Sequence, residues 1–477
     1  MSAPFVSADT IRTNFSRAMS AMYKTEVPQY GTLLDIVASV NGTVLAQDSA
    51  LAQQLAASDQ LSRLELERHG AIRVGTAAEL HTMRRLFAVM GMHAVGYYDL
   101  TVAGVPVHST AFRPIDDAAL RRNPFRVFTS LLRLELIADP ALRAAAQDAL
   151  DQRSIFTANC LDLIEKCEQQ GGLAQDDAFV FVREALETFR WHQQATVSSA
   201  LYQRLRAAHP LVADIVSFKG PHINHLTPRT LDIDQVQQAM PERGIKPKAV
   251  IEGPPRRQCA ILLRQTSFLA LNEAVSFPTE DGQLSAGTHT ARFGEIEQRG
   301  VALTAAGRTL YDRILERVRQ QVQPAGDGSN KEQYLRTLEQ HFQAFPDSYA
   351  ELRQRALAFF RYRAKPDAIA NIASDAVSQD QIDALVASGD LLFEAIIYED
   401  FLPVSAAGIF QSNLGNENKQ AYLAQSNRQA FEAALGATVY DELALYAQAQ
   451  EASLQTALNE LQQRFIRSTT TILDQGK

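Results

Sequence analysis

The chain has 477 residues, 46% of them hydrophobic and 21% charged, a balance typical of globular proteins that excludes disorder as the main state. At roughly 150 residues per domain it holds about three structural units, and no stretch approaches the roughly 20 apolar residues that span a bilayer. The formal net charge of −8 is the wrong sign for a general nucleic-acid binder. The three cysteines, Cys160, Cys167 and Cys259, form neither a disulfide framework nor a zinc pattern. The N-terminal residues lack the basic start and apolar core of a secretory signal, so a cytoplasmic location is expected.

Residues 1–60 read as N-terminal helices, with Ile11, Phe15, Met19 and Met22 at helical spacing. The pattern changes at Leu64-Glu-Leu-Glu-Arg-His-Gly-Ala-Ile, where alternation of apolar and polar residues predicts a half-buried strand. Thr76, three residues before Glu79, forms a capping box that opens a helix to about Met90. Strands are expected around Gly96–Val102 and Val105–Arg113, which completes a first βαβββ-like unit over 61–115. Residues 116–218 read as a helical insertion, punctuated by Asp139-Pro140 and Gly171-Gly172.

The same order of elements then recurs over 219–303. Pro221-His-Ile-Asn-His-Leu-Thr reads as a strand and Asp232 to Met240 as a short helix. Further strands are expected at Lys248–Ile251, Ala260–Ser267 and Ala291–Glu297. From 304 to 477 the composition is helical again, interrupted by an unusually apolar loop near 401–410, Phe401-Leu-Pro-Val-Ser-Ala-Ala-Gly-Ile-Phe. The fold class is therefore α+β: paired βαβββ units in an open barrel, elaborated by N-terminal, inserted and C-terminal helices.

Of the ten histidines, His69 and His225 stand apart because each lies on the first strand of one copy of the repeat. Equivalent positions on paired units meet near a pseudo-twofold axis, which suits a two-histidine metal site. A third ligand would come from a strand facing the same cavity. Glu295 and Glu297 are two apart in Phe293-Gly-Glu-Ile-Glu-Gln-Arg-Gly, so both point to one side of a strand. The alternative is an exposed strand face laced with ion pairs to Arg292 and Arg299, and both readings stand on the residues alone. Two imidazoles and a carboxylate suit iron(II) and leave positions for a chelating substrate and dioxygen, although the same set could hold zinc. Arg73, four residues from His69 on the same strand face, is placed to grip a substrate carboxylate; the alternative is a surface arginine beside Gly75. His222 is three residues from His225, would face the other way on a strand, and is not counted as a ligand. Nucleotide-binding, serine-hydrolase and H-E-x-x-H motifs are absent from the sequence.

Three segments together, Glu67-Arg-His-Gly-Ala-Ile-Arg, Gly220-Pro-His-Ile-Asn-His-Leu-Thr-Pro-Arg and Arg292-Phe-Gly-Glu-Ile-Glu-Gln-Arg-Gly, resemble the 2-oxoadipate dioxygenase/decarboxylase family, also called hydroxyglutarate synthase, of the vicinal oxygen chelate superfamily. The apolar loop beginning at Phe401 fits it too. The last of the three segments is also similar to the closing-strand motif of the iron(II) dioxygenases that act on 4-hydroxyphenylpyruvate. The resemblance implies Fe(2+) held by His69, His225 and Glu295, with Arg73 as a catalytic substrate clamp and Val404 and Ser405 at the substrate. It implies conversion of 2-oxoadipate and dioxygen to (R)-2-hydroxyglutarate and carbon dioxide, in lysine catabolism. Glu297 replaces an apolar residue of the hydroxyphenylpyruvate motif, which suits an acceptor that orients a ligand or an arginine. Competing readings are a zinc- or nickel-dependent glyoxalase-type isomerase, an extradiol dioxygenase, a metal-free binding protein of the same fold, and a helical scaffold. The expected partners are a small 2-oxo dicarboxylate and dioxygen, with no nucleic acid and no membrane.

Overall fold

The computed structural model describes residues 5–57, 60–101, 104–268, 270–279, 281–290, 292–325, 328–372, 377–402 and 427–475. It opens with α1 (Ala8–Glu26), α2 (Pro28–Gln47), α3 (Ser49–Ala57) and α4 (Gln60–Leu66). Leu64–Leu66, expected in the first strand, closes α4 instead, and β1 begins at Arg68 and ends at Val74. The predicted capping box is present. Thr76 accepts from the Glu79 backbone N–H, Glu79 reaches back to the cap, and α5 (Ala77–Val89) follows. β2 (His93–Asp99), β3 (Val107–Arg113) and β4 (Arg126–Leu132) complete the first unit.

β4 lies in the stretch read as the start of a helical insertion. Every residue of Arg126-Val-Phe-Thr-Ser-Leu-Leu is buried, so the strand carries no apolar–polar alternation. It runs parallel to β1 and antiparallel to β3, and such doubly covered strands lack the period-two signal. Helices fill residues 140–216 as expected.

The second unit starts with β5 (His225–Pro228), followed by the helix Ile233–Ala239, β6 (Leu263–Ser267), β7 (Asn272–Pro278), β8 (Leu284–Thr290) and β9 (Glu295–Arg299). The strand expected at Lys248–Ile251 is reduced to flanking bridges, Pro247 with Phe268 and Glu252 with Gln265. The β7–β8 hairpin is an excursion between β6 and β9 that sequence reading missed. β8 is mostly exposed and carries small and polar residues, so it lacks an apolar stripe. With the hairpin set aside, the two units match. β1 lies parallel to β4, which pairs with β3, which pairs with β2. Likewise β5 bridges β9 in parallel through Arg229 and Glu297, β9 pairs with β6, and β6 bridges Glu252.

The units join through β1 and β5, which run antiparallel with His69 opposite Thr227, Gly70 opposite Leu226 and Ala71 opposite His225. This register is symmetric about Gly70 and Leu226, so His69 and His225 occupy equivalent places. Alternation then sorts the side chains. Ile72, Val74 and Leu226 enter a core with Phe15, Met19 and Leu86, while His69, Ala71 and Arg73 take the opposite face. C-terminal to β9 the chain is helical, with a β10–β11 hairpin (Phe360–Ala364 and Leu391–Ala395) that sequence reading did not anticipate, and ends in the long helix Glu442–Gln475.

Two glycines give opposite expectations. A Cβ on Gly300, just past β9, would collide with the backbone of Ala260 and Ile261, and overpacking of this kind costs about 1–3 kcal/mol. Gly42 sits inside α2 with open space around it, where alanine gains roughly 0.5–1 kcal/mol. Denaturant titration is predicted to show Gly300→Ala destabilised and Gly42→Ala stabilised. The reverse order would contradict the packing described for the β9 end.

Candidate functional site

His69, His225 and Glu295 are all buried, and one donor atom from each lies within 4.8 Å of the other two. Glu295 Oε1 stands 3.0 Å from His69 Nε2 and 3.9 Å from His225 Nε2. Thr227, opposite His69 in the strand register, donates to the same oxygen at 3.3 Å. Donors at about 2.1 Å from one ion and at right angles to each other would be about 3.0 Å apart, so this spacing fits a shared cation. Burial pushes the His225 imidazole down to a pKa of about 4, which leaves it neutral with a lone pair to give. Burial opposes ionisation of Glu295, but His225 and His69 hold its carboxyl below its usual range.

His69 is gripped at both nitrogens. Its Nδ1 lies 3.0 Å from Glu297 Oε2 while Nε2 faces Glu295. Burial disfavours its charge, yet the two carboxylates overcome this and raise its pKa. A cation is therefore favoured here, and a metal at Nε2 would take the place of the proton. Glu297 does point to the same side as Glu295, and it also pairs with Arg299 at 2.7 Å and Arg126 at 3.2 Å. The ion-pair alternative is thus true of Glu297, but in a fully buried setting rather than on an exposed face. Arg292 pairs with Glu26 and Glu273 instead, away from both glutamates.

Aromatic rings wall the site. Phe293 packs on His225 with centroids 4.8 Å apart, and Phe401 packs edge-on against His69 at 4.9 Å. By strand register, the place on β4 that corresponds to Glu295 is Phe128, which touches Phe401 at 5.2 Å. The pseudo-twofold symmetry thus yields two histidines but one carboxylate, a set of three ligands with one side open. Tyr23 of α1 donates to the carbonyls of Asn224 and Phe293, which ties β5 to the approach of β9.

Arg73 is partly buried, with its side chain 22% exposed and Nη1 2.8 Å from Asp214 Oδ2. Its charge bears on the His225 imidazole, so it lies within electrostatic reach of the triad. Lys248 bears on both His225 and Glu295 as well. His222 lies apart from the triad, but not because of strand alternation. It precedes β5 and belongs to a second group with Asp214 and His289. Val404 and Ser405 lie outside the described residues.

Sequence reasoning missed Asp214, His289, Tyr202 and Lys248. One signal was available: Asp214 is the only charge within Pro210-Leu-Val-Ala-Asp-Ile-Val, and a lone acid in an apolar run marks a buried carboxylate needing a partner.

Paired βαβββ units joined at their first strands, with two histidines and one glutamate over the join, define a protein of vicinal oxygen chelate architecture. A family model described as 2-oxoadipate dioxygenase/decarboxylase matches residues 15–413. The chain belongs to that family. It is 57% identical over 458 residues to a 2-oxoadipate dioxygenase/decarboxylase of Pseudomonas putida, covering 96% of this chain and 98% of the relative. The Escherichia coli protein of the same name is 58% identical over 448 residues, covering 94% and 98%. Among solved structures, hydroxyglutarate synthase from Pseudomonas putida in complex with 2-oxoadipate superposes with a TM-score of 0.87 at 55% identity, covering 96% of this chain and 99% of that one. No helix among the described residues is long and apolar enough to cross a membrane.

The Glu297 contact gives a test. A carboxylate on the distal nitrogen of a ligating histidine fixes its tautomer and basicity, and its loss typically costs 10–100-fold in metal affinity. Glu297→Gln is expected to weaken binding of a divalent cation at the His69–His225–Glu295 group by roughly that factor in chelator competition. Unchanged affinity would show that Glu297 serves the arginines alone.

Proposed function

We propose that this chain is an iron(II)-dependent dioxygenase that converts 2-oxoadipate and dioxygen to (R)-2-hydroxyglutarate and carbon dioxide, acting in lysine catabolism. The observation that carries this reading is the buried His69–His225–Glu295 group with Arg73 on the same strand face. The names of the relatives, and the 2-oxoadipate bound in one of them, support the substrate. The atoms balance: one carbon leaves as carbon dioxide, and both oxygens of dioxygen enter the products, one in the new carboxylate and one in the hydroxyl.

Iron(II), held by His69, His225 and Glu295, would supply the redox chemistry and polarise the 2-oxo group. His225 is neutral and Glu295 ionised, so both present lone pairs without first losing a proton. Glu297 Oε2, 3.0 Å from His69 Nδ1, would hold the tautomer of His69 when Nε2 is on the metal. Arg73 holds the distal carboxylate of 2-oxoadipate and so measures chain length, because a shorter diacid leaves the guanidinium poorly paired. Phe128, Phe293 and Phe401 limit water beside the reacting carbons and strengthen each charge interaction there. Backbone groups of Val404 and Ser405 complete the substrate contacts in this reading.

Oxygen uptake by anaerobically iron(II)-loaded protein tests the reaction. Addition of 2-oxoadipate is predicted to consume dioxygen in a one-to-one ratio with carbon dioxide and 2-hydroxyglutarate. Retained iron with no uptake would rule the reaction out. Arg73→Ala tests the clamp. Losing one partner of a charge pair costs about 2 kcal/mol once partial exposure is allowed for, so KM for 2-oxoadipate is expected to rise about 30-fold with iron content unchanged. Wild-type kinetics in that variant would remove Arg73 from the substrate site.

A further inference from the structure

Behind Arg73 lies a buried polar chain. Asp214, on the helix Pro210–Val216, is 7% exposed and receives Arg73 Nη1 on Oδ2 at 2.8 Å. Its other oxygen lies 2.8 Å from His289 Nε2 on β8. His289 Nδ1 in turn lies 2.9 Å from the hydroxyl of Tyr202 on the helix Ser199–Ala208. A carboxylate only accepts, so His289 carries its proton on Nε2, and Nδ1 accepts from Tyr202. The direction of the chain is therefore set: Tyr202 donates to His289, His289 donates to Asp214, and Asp214 accepts from Arg73. Trp191 and Phe218 flank it, with centroids 6.0 Å and 4.7 Å from His289.

Asp214, His222 and His289 are also close enough to share a cation. Two features argue against one. Arg73 already supplies the positive charge beside Asp214. The Asn224 side-chain nitrogen lies 3.2 Å from His222 Nε2 and takes up its lone pair.

We infer that Asp214, itself fixed by His289 and Tyr202, is a positioning residue that aims the Arg73 guanidinium at the distal carboxylate of the substrate and so sets the preference for 2-oxo dicarboxylates over 2-oxo monocarboxylates. The inference rests on the clamp reading of Arg73. Among the described residues Asp214 engages only Nη1, which leaves the Nε–Nη2 edge for a two-point grip. An arginine has many rotamers to lose, and a guanidinium held in place beforehand loses fewer of them when the substrate arrives. The chain is built from helix and strand residues around a partly open arginine, as preorganisation requires.

A double-mutant cycle tests this. Calorimetry on metal-loaded protein without dioxygen gives Kd for 2-oxoadipate and for 2-oxohexanoate, which lacks the distal carboxylate. Asp214→Asn is expected to weaken 2-oxoadipate about tenfold and to leave 2-oxohexanoate within about twofold. It should add nothing in an Arg73→Ala background. Tyr202→Phe, a milder change one link further away, should weaken 2-oxoadipate roughly two- to threefold and serves if Asp214→Asn does not fold. Unchanged or tighter binding of 2-oxoadipate, equal loss for both acids, or additivity with Arg73→Ala would overturn the inference. So would a second metal ion per chain that Asp214→Asn removes. If Arg73→Ala alone leaves 2-oxoadipate affinity intact, the clamp reading fails; if it weakens binding while Asp214→Asn is silent, only the role of Asp214 fails.

Discussion

The contact between Glu297 and His69 is one node of a buried lattice of charge on which the rest of the site depends. Arg126 reaches Glu67 at 2.8 Å, Glu297 at 3.2 Å and Glu399 at 2.6 Å. Arg63 joins Glu67 at 2.9 Å to Glu399 at 2.7 Å, and Arg229 reaches Glu67 at 3.1 Å. Arg299 holds both oxygens of Glu297 and donates to the carbonyls of Tyr398 and Asp400. Desolvating that many ions costs several kcal/mol for each, and only near-complete mutual pairing offsets it. The lattice therefore closes only when α4, β4, the end of β5, β9 and residues 398–401 are all in place. That condition fixes the imidazole of His69 and brings Phe401 against it.

His69 and Arg73 of β1 share one arrangement. His69 and Arg73 point to the same face, and each is backed by a buried carboxylate from another element, Glu297 from β9 and Asp214 from the helix Pro210–Val216. The first backing raises the basicity of an imidazole, and the second pairs with one nitrogen of a guanidinium. The four-residue spacing along one strand sets the separation between the place that would hold the metal and the place that would hold the far carboxylate. Phe128 at the position matching Glu295 breaks the symmetry and leaves one side of the centre lined by rings.

Much of this was legible in the sequence because it follows from periodicity. The recurring order of elements placed His69 and His225 on equivalent strands, and the two-residue spacing placed Glu295 and Glu297 on one face. The capping box at Thr76 marked the start of α5 to the residue. What escaped has a common cause: burial removes pattern. β4 is covered on both faces and does not alternate, and β8 of the hairpin is mostly exposed and carries no apolar stripe. The partners of Arg73 and Glu297 come from residues distant in the chain, such as Asp214 and Arg126, and spacing along one segment carries no information about them. His289 lies on the unanticipated strand β8, and only the fold sets it beside Asp214.

The most direct measurement is the anomalous scattering of crystals of the iron(II)-loaded protein, collected on either side of the iron edge. The account predicts one ion per chain, bound by His69 Nε2, His225 Nε2 and a Glu295 oxygen, with Glu297 still on His69 Nδ1. An ion held instead by Asp214, His222 and His289, or His69 turned away from Glu297, would contradict it.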